Sequence, residues 1–92
     1  MLSPEQLPDL EHYAELMFTV EQIAVILAVN PAKLKFYVTE QGSAEQENFS
    51  RGRLKAEASV RKAIYDLALN GSSPAQTQYL DLIENAKLDD VL

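Results

Sequence analysis

The sequence predicts an all-α fold: a small helical domain with an N-terminal helix-turn-helix, then a long helix and a short C-terminal helix. Three observations predict it. Apolar residues recur at helical spacing, proline and glycine stand where helices would begin and end, and no stretch alternates like a strand. With 92 residues, of which 47% are apolar, the chain has the size and composition of one small domain.

The first helix is expected over residues 8–17, because Pro8 is tolerated in a first turn, where its missing N–H leaves no bond unmade. Its apolar stripe consists of Leu10, Tyr13, Ala14 and Met17. Thr19 and Gln22 form a capping-box pattern that opens a second helix over residues 20–28. Its apolar face consists of Val20, Ile23, Ala24 and Leu27. Val25 and Ile26 are apolar too, so this helix is expected to be covered on more than one side.

Asn30 and Pro31 predict the cap and first residue of a third helix over residues 31–41, which ends at Gly42. Ser43 is expected to cap a long fourth helix over residues 44–70, with a break near residues 48–52 because Gly52 costs about 1 kcal/mol in a helix interior. A last helix is expected over residues 74–86, followed by a frayed tail. Its apolar side consists of Ala75, Tyr79, Leu82, Ile83 and Ala86.

Charge is distributed unevenly, although the net charge is −6. Residues 1–29 hold five acidic and no basic residues, residues 30–62 hold seven of the eight basic residues, and residues 63–92 hold five acidic residues and one lysine. A net acidic chain is not typical of a general nucleic-acid binder. The positive middle predicts either a face that binds an anion or a solvated surface with uneven charge.

Composition also excludes several classes of protein. The chain has no cysteine, which excludes disulfides, thiolate zinc sites and cysteine nucleophiles and fits a reducing compartment. Its first residues lack the pattern of a signal peptide, and no apolar run is long enough to span a bilayer. We therefore expect a soluble cytoplasmic protein without a membrane partner.

Residues 18–37 carry the pattern of a helix-turn-helix with a short turn. Ala24 is the small residue that lets the two helices pack closely, and Val29 and Leu34 would face the core between them. Glycine usually stands where this chain has Ala28. Because a left-handed turn at alanine costs about 1 kcal/mol, a departure from the motif is expected first at this residue.

In a helix-turn-helix the N-terminal part of the second helix enters the major groove of DNA. Leu34 and either Tyr37 or Val38 are expected to face the core. The outward residues, which would contact DNA, are Asn30, Ala32, Lys33, Lys35 and Phe36. No arginine lies on this helix, so weak or multivalent binding to double-stranded DNA is expected.

A second basic cluster lies on the long helix and consists of Arg51, Arg53, Lys55, Arg61 and Lys62. Arg51 and Lys55 are four residues apart and share a helix face. Two interpretations stay open for the cluster. It could contact DNA phosphates, or it could pair within the chain, for instance through Glu57, which lies four residues from both Arg53 and Arg61.

The order of these pieces resembles the small terminase subunits of tailed phages and prophages. Residues 52–76 read GRLKAEASVRKAIYDLALNGSSPAQ, a basic helix that ends in asparagine-glycine and leads into a short helix. The resemblance covers roughly residues 18–86. It implies a viral genome-packaging protein of the bacterial host cell, which recognises phage DNA, assembles as a homo-oligomer and regulates a large terminase subunit.

The resemblance divides the chain into a DNA-binding region, residues 1–42, and a helical hairpin for oligomerisation, residues 43–92. The residues expected to mediate oligomerisation are Ile64, Leu67, Tyr79, Leu82 and Ile83. Two alternatives stay open: a helix-turn-helix transcription regulator, and a protein-interaction module that does not bind DNA.

An enzyme is not expected. His12 is the single histidine, and one histidine beside Glu11 and Glu15 rarely makes a metal site. No glycine-rich phosphate loop is present, and the carboxylates lie where helix faces and tails usually carry them. We therefore expect no catalytic residues, no metal and no cofactor.

Overall fold

The computed structural model describes residues 1–91, and their regular structure is entirely helical. The helices are α1 (Gln6–Glu15), α2 (Val20–Leu27), α3 (Pro31–Thr39), α4 (Ala44–Leu69) and α5 (Ser73–Val91). The all-α prediction is confirmed. The chain forms two compact units, Met1–Glu57 and a second that begins at Ala58. None of the described helices combines the length and apolar character needed to cross a membrane.

Several helix boundaries differ from the prediction, most of all at the start of α1 and the end of α5. Helix α1 begins at Gln6 rather than Pro8, because the Gln6 N–H donates to the Ser3 carbonyl over 3.0 Å and the Gln6 side chain accepts from the Ser3 N–H over 3.1 Å. Pro8 still lies in the first turn, where no amide bond is lost. Helix α5 continues to Val91, so the frayed tail predicted for residues 87–92 was wrong for residues 87–91; Leu92 lies outside the described residues. No proline or glycine interrupts residues 75–91, where helix-forming residues are frequent.

Helix α3 ends at Thr39, two residues before the predicted end. The Ser43 hydroxyl donates to the Tyr37 carbonyl over 2.6 Å and accepts from the Gln46 N–H over 2.9 Å. One side chain therefore binds the end of α3 and caps the start of α4, as the sequence predicted for Ser43. Gly42 lies between the two helices with φ +85°.

The core of the first unit is formed by α1, α2 and α3. Its buried side chains are Leu10, Ala14, Ile23, Ala24, Leu34 and Val38. The predicted faces of α1 and α2 are confirmed at these positions, and Val20, Leu27 and Val29 are half-buried. Two expectations were wrong. Met17 is 62% exposed, and Val25 is 75% exposed, so the outer side of α2 is uncovered in this unit.

Helices α1 and α2 both end in a left-handed residue that is not glycine. Ala28 has φ 58° and ψ 43°, its N–H donates to the Val25 carbonyl, and the Val29 N–H donates to the Ala24 carbonyl over 2.9 Å. Met17, with φ 68°, ends α1 through the same pair of bonds. This is the Schellman arrangement, which satisfies the last carbonyls of a helix. The turn between α2 and α3 thus keeps left-handed geometry without glycine. Met17 lies beyond the last residue of α1 in a left-handed conformation, so it does not continue the helical stripe.

Gly52 is buried in α4 and lies directly against α1. A Cβ atom at this position would lie 2.2 Å from the Glu11 carbonyl oxygen and 2.8 Å from the Ala14 Cβ. The expected break near residues 48–52 was wrong, since α4 is helical through this segment. Glycine lowers the helix propensity at this position, but it is the residue that lets the two backbones approach this closely.

The second unit is a helical hairpin formed by the last residues of α4 and by α5. Its turn is another Schellman arrangement, with Gly71 at φ +93°. The rings of Tyr65 and Tyr79 lie 5.2 Å apart, and the Gln76 side chain donates to the Ala68 carbonyl over 3.1 Å. These contacts place residues 65 and 79, and residues 68 and 76, side by side across the hairpin.

Gly52→Ala tests the close approach of α4 to α1. Alanine should stabilise a helix by about 1 kcal/mol relative to glycine, but overpacking should cost about 1–3 kcal/mol. A Cβ 2.2 Å from the Glu11 carbonyl oxygen belongs at the upper end of that range. We expect a net loss in the free energy of unfolding, measured with urea. The control is Ser50→Ala on the exposed side of the same helix, which should not destabilise. A Gly52→Ala chain more stable than the natural one would contradict the contact.

Ala28→Gly tests the strain in the turn. Glycine adopts the left-handed conformation without a Cβ clash, so this variant should gain about 1 kcal/mol in the free energy of unfolding. The control is Ala63→Gly at an exposed helical position of α4, which should lose about 1 kcal/mol. A loss at both positions would show that Ala28 is not left-handed in solution.

Candidate nucleic-acid interface

The outward face of α3 carries the residues that the sequence assigned to DNA. Leu34 and Val38 are buried and Tyr37 is half-buried, so α3 meets the core through these side chains as expected. The five predicted contact residues Asn30, Ala32, Lys33, Lys35 and Phe36 are all exposed. The structure therefore places them together on one accessible helix and its cap.

Asn30 caps α3 through its side-chain oxygen, which leaves its side-chain nitrogen available. Its Oδ1 atom accepts from the Lys33 N–H over 3.0 Å, which fixes the start of the helix. The Asn30 amide nitrogen has no partner within residues 1–91 and can donate to a ligand. Phe36 is 60% exposed and makes an edge-to-face contact with Tyr37 at 5.4 Å.

The two lysines of α3 differ in their surroundings. Lys35 lies 3.6 Å from the Glu21 carboxylate of α2, a pair in which both side chains are mostly exposed. Such a pair contributes little to stability, about 0–1 kcal/mol, and is easily exchanged for another anion. The Lys33 ammonium has no ion-pair partner within the described part of the chain. Lys33 is thus the cation of α3 that is available without breaking any contact.

Arg51 and Lys55 of α4 both bind Glu11 of α1. The Arg51 guanidinium lies 2.9 Å from Glu11 Oε1, and the Lys55 ammonium lies 2.7 Å from Oε2. Hydrogen bonds from Lys55 and then Arg51 hold the pKa of the Glu11 carboxyl below its ordinary value of 4.5. Glu11 therefore pairs with both Arg51 and Lys55, two of the basic residues that the sequence offered as contacts for DNA phosphates.

Arg53 binds the C-terminal end of α1. Its Nη1 donates to the Ala14 carbonyl and its Nη2 to the Phe18 carbonyl, each over 2.7 Å. The guanidinium also lies over the Phe49 ring, 4.5 Å from its centre. A cation at the end of a helix compensates the partial negative charge of the carbonyls there. The contacts of Arg53 are with these groups and not with Glu57, the partner that its spacing suggested.

The remaining basic candidates lie on the part of α4 in the second unit. The Lys62 ammonium binds Asp66 over 2.7 Å within the same helix, and both side chains are exposed. Arg61 is exposed. Of the two interpretations of the basic cluster, the geometry favours internal pairing for Arg51, Arg53 and Lys55. These three residues lie on α4 against α1, separate from the face of α3.

The residues proposed for oligomerisation differ in exposure. Leu67 is exposed, and the other four are half-buried: Ile64, Tyr79, Leu82 and Ile83. Part of the predicted apolar side of α5 is thus already used within the hairpin, which leaves other apolar residues of the second unit facing solvent.

The sequence did not indicate that Glu45 is buried and forms an ion pair. This carboxylate is buried, lies 3.0 Å from the N-terminal ammonium of Met1, and accepts from the Leu2 N–H over 3.0 Å. Burial raises the pKa of Glu45, but the hydrogen bonds from Leu2 and the terminal ammonium outweigh it and leave the pKa below its ordinary value. Glu45 ties the start of the chain to α4, a structural role that no local pattern indicates.

Residues 1–91 contain no group of histidine, aspartate and glutamate side chains that could hold a metal ion. Comparison with known proteins gave no match to any family model, curated protein or solved structure.

Arg53→Met tests whether the guanidinium holds the end of α1. The variant keeps an apolar stem but removes two charge-assisted bonds, so the free energy of unfolding should fall by about 1.5–3 kcal/mol. Lys33→Met is the matched control, because that lysine is exposed and unpartnered within the described residues; it should change stability by less than about 0.5 kcal/mol. If the two substitutions lowered the free energy of unfolding equally, Arg53 would not stabilise the end of α1.

Proposed function

We propose that this chain binds double-stranded DNA as a protein of the small terminase kind, which recognises phage DNA for packaging and regulates a large subunit. The observation that carries the proposal is the pairing of α2 and α3 through a left-handed turn at Ala28. This pairing leaves the N-terminal half of α3 exposed, with Asn30 and Lys33 at its start. The order of sequence segments over residues 18–86 supports the packaging role.

In this proposal the start of α3 enters the major groove. Lys33 contacts a phosphate or a guanine edge, and the Asn30 amide donates to a phosphate or a base. Lys35 can join them by exchanging Glu21 for a phosphate. Because the three basic residues nearest α1 are engaged internally, one copy offers few cations, so useful affinity requires several copies acting together through the second unit.

A helix-turn-helix transcription regulator would use the same surface. A gene for a large terminase subunit next to the gene for this chain would favour packaging over transcription.

A second class of function, a protein-interaction module, is favoured by one observation. Val25, Ile26 and Phe36 of α2 and α3 are large apolar side chains left exposed. Exposed apolar side chains on neighbouring helices are typical of protein interfaces.

Lys33→Ala tests the DNA surface against this alternative. We expect weaker binding to mixed-sequence duplex DNA, measured by fluorescence anisotropy, and a dependence of log affinity on log salt that is less steep by about 1. Lys87→Ala is the control. Lys87 is also exposed and has no ion-pair partner within residues 1–91, but it lies on α5; its removal should leave the salt dependence unchanged. Affinity that stays flat as NaCl increases would exclude phosphate contacts and favour the protein-interaction module.

A further inference from the structure

The turn between α4 and α5 contains Asn70 followed directly by Gly71. Asn70 is exposed, and its side-chain amide has no hydrogen-bond partner within residues 1–91. A Cβ atom added at Gly71 would meet no other atom within 4 Å, so the space around this residue is open. An unrestrained asparagine amide therefore lies next to a backbone nitrogen whose residue has no side chain to hinder its approach.

These two groups can react with each other. When the turn opens, the backbone nitrogen of Gly71 attacks the Cγ carbon of Asn70. A bond forms between this nitrogen and Cγ, the bond from Cγ to Nδ2 breaks, and the proton of the Gly71 N–H leaves with Nδ2 as ammonia. One water molecule then opens the cyclic imide. Cleavage of its bond to Cγ gives aspartate, and cleavage of its bond to the main-chain carbonyl carbon gives isoaspartate. No group is oxidised or reduced.

Hydrogen bonds of the turn control when this reaction occurs. The Gly71 N–H donates to the Ala68 carbonyl and the Ser72 N–H to the Leu67 carbonyl, each over 3.1 Å. Because these bonds hold the attacking nitrogen, the reaction requires local opening of the turn, which is easiest where few apolar side chains are buried. Among the described side chains of the second unit only Ala75 is buried. Little packing therefore opposes the opening.

The other three asparagines of the chain lack this combination. Asn30 precedes Pro31, whose nitrogen has no proton to lose. Asn48 lies inside α4, and its Nδ2 donates to the Ala44 carbonyl over 2.7 Å. Asn85 lies inside α5, where the backbone nitrogen that follows it is part of the helix. The reaction is thus directed to the turn of the hairpin.

We propose that Asn70 is a modification site, at which conversion to isoaspartate and aspartate loosens the turn between α4 and α5. Isoaspartate lengthens the backbone by a methylene group between residues 70 and 71, so the bonds of the Schellman arrangement no longer fit. Either product places a negative charge at the C-terminal end of α4, which the helix dipole disfavours, four residues after Asp66. This inference goes beyond DNA binding and does not depend on it.

Peptide mapping of the full-length chain after storage at mildly alkaline pH tests the site. We expect conversion of Asn70 to be at least about tenfold faster than that of Asn48 or Asn85, because interior helical turns open less often than a helix end. Tandem mass spectrometry locates each converted residue. Isoaspartate is identified by its methylation with protein isoaspartyl methyltransferase, and it should be present at residue 70.

Two substitutions serve as controls for the site. Asn70→Gln should abolish the methylation, because the longer side chain closes a larger ring far more slowly. Asn48→Gln changes an asparagine of α4 in the same way and should leave the conversion of Asn70 unchanged. Equal conversion of Asn48, Asn70 and Asn85, or aspartate at residue 70 without isoaspartate, overturns the attack by the Gly71 nitrogen.

Hydrogen exchange measured by NMR tests the consequence for the turn. In the stored chain the Ser72 amide should exchange at least about tenfold faster than in the fresh chain, because its bond to the Leu67 carbonyl is lost. The amides of α2 and α3 should keep their rates, and the stored Asn70→Gln chain should exchange like the fresh one. An unchanged Ser72 rate in a chain that carries isoaspartate overturns the loosening. Faster exchange throughout α2 and α3 would overturn its restriction to the hairpin.

Discussion

The contact between Gly52 and the backbone of α1 is the constraint on which the first unit depends. Without a Cβ at this position α4 lies close enough for Arg53 to reach the Ala14 and Phe18 carbonyls. The same approach puts Arg51 and Lys55 on either side of the Glu11 carboxylate. The absence of a side chain at Gly52 thus lets three basic residues of α4 reach α1, and Phe49 of the same helix packs against the core of the first unit.

This use of the basic residues changes how function can be assigned. A charge count along the chain points to residues 30–62 as an anion-binding region. Three of these basic residues bind groups within the chain. Arg51 and Lys55 bind the Glu11 carboxylate, and Arg53 binds a carbonyl at the C-terminal end of α1. Within residues 1–91 the outward face of α3 stays exposed, and Lys33 on it has no ion-pair partner.

The sequence predicted the fold well wherever the signal was local. The capping box at Thr19, the cap at Asn30 and the apolar faces of α1 and α2 all occur as expected. It failed where the decisive contact is distant. Gly52 looked like a helix breaker because propensity is a property of one helix, whereas its role is set by the backbone of α1 at Glu11, which is distant in the sequence. The partner of Arg53 was missed for the same reason, since backbone carbonyls at another helix end leave no sequence pattern.

An NMR titration with duplex DNA tests most directly whether α3, and not the basic residues of α4, meets the ligand. The backbone amides of residues 30–36 and the Lys33 side chain should shift on addition of DNA at low salt. The side-chain signals of Arg51 and Arg53 should stay where they are, because those guanidinium groups are held by α1. Shifts concentrated on these two arginines, with α3 unaffected, would contradict this assignment.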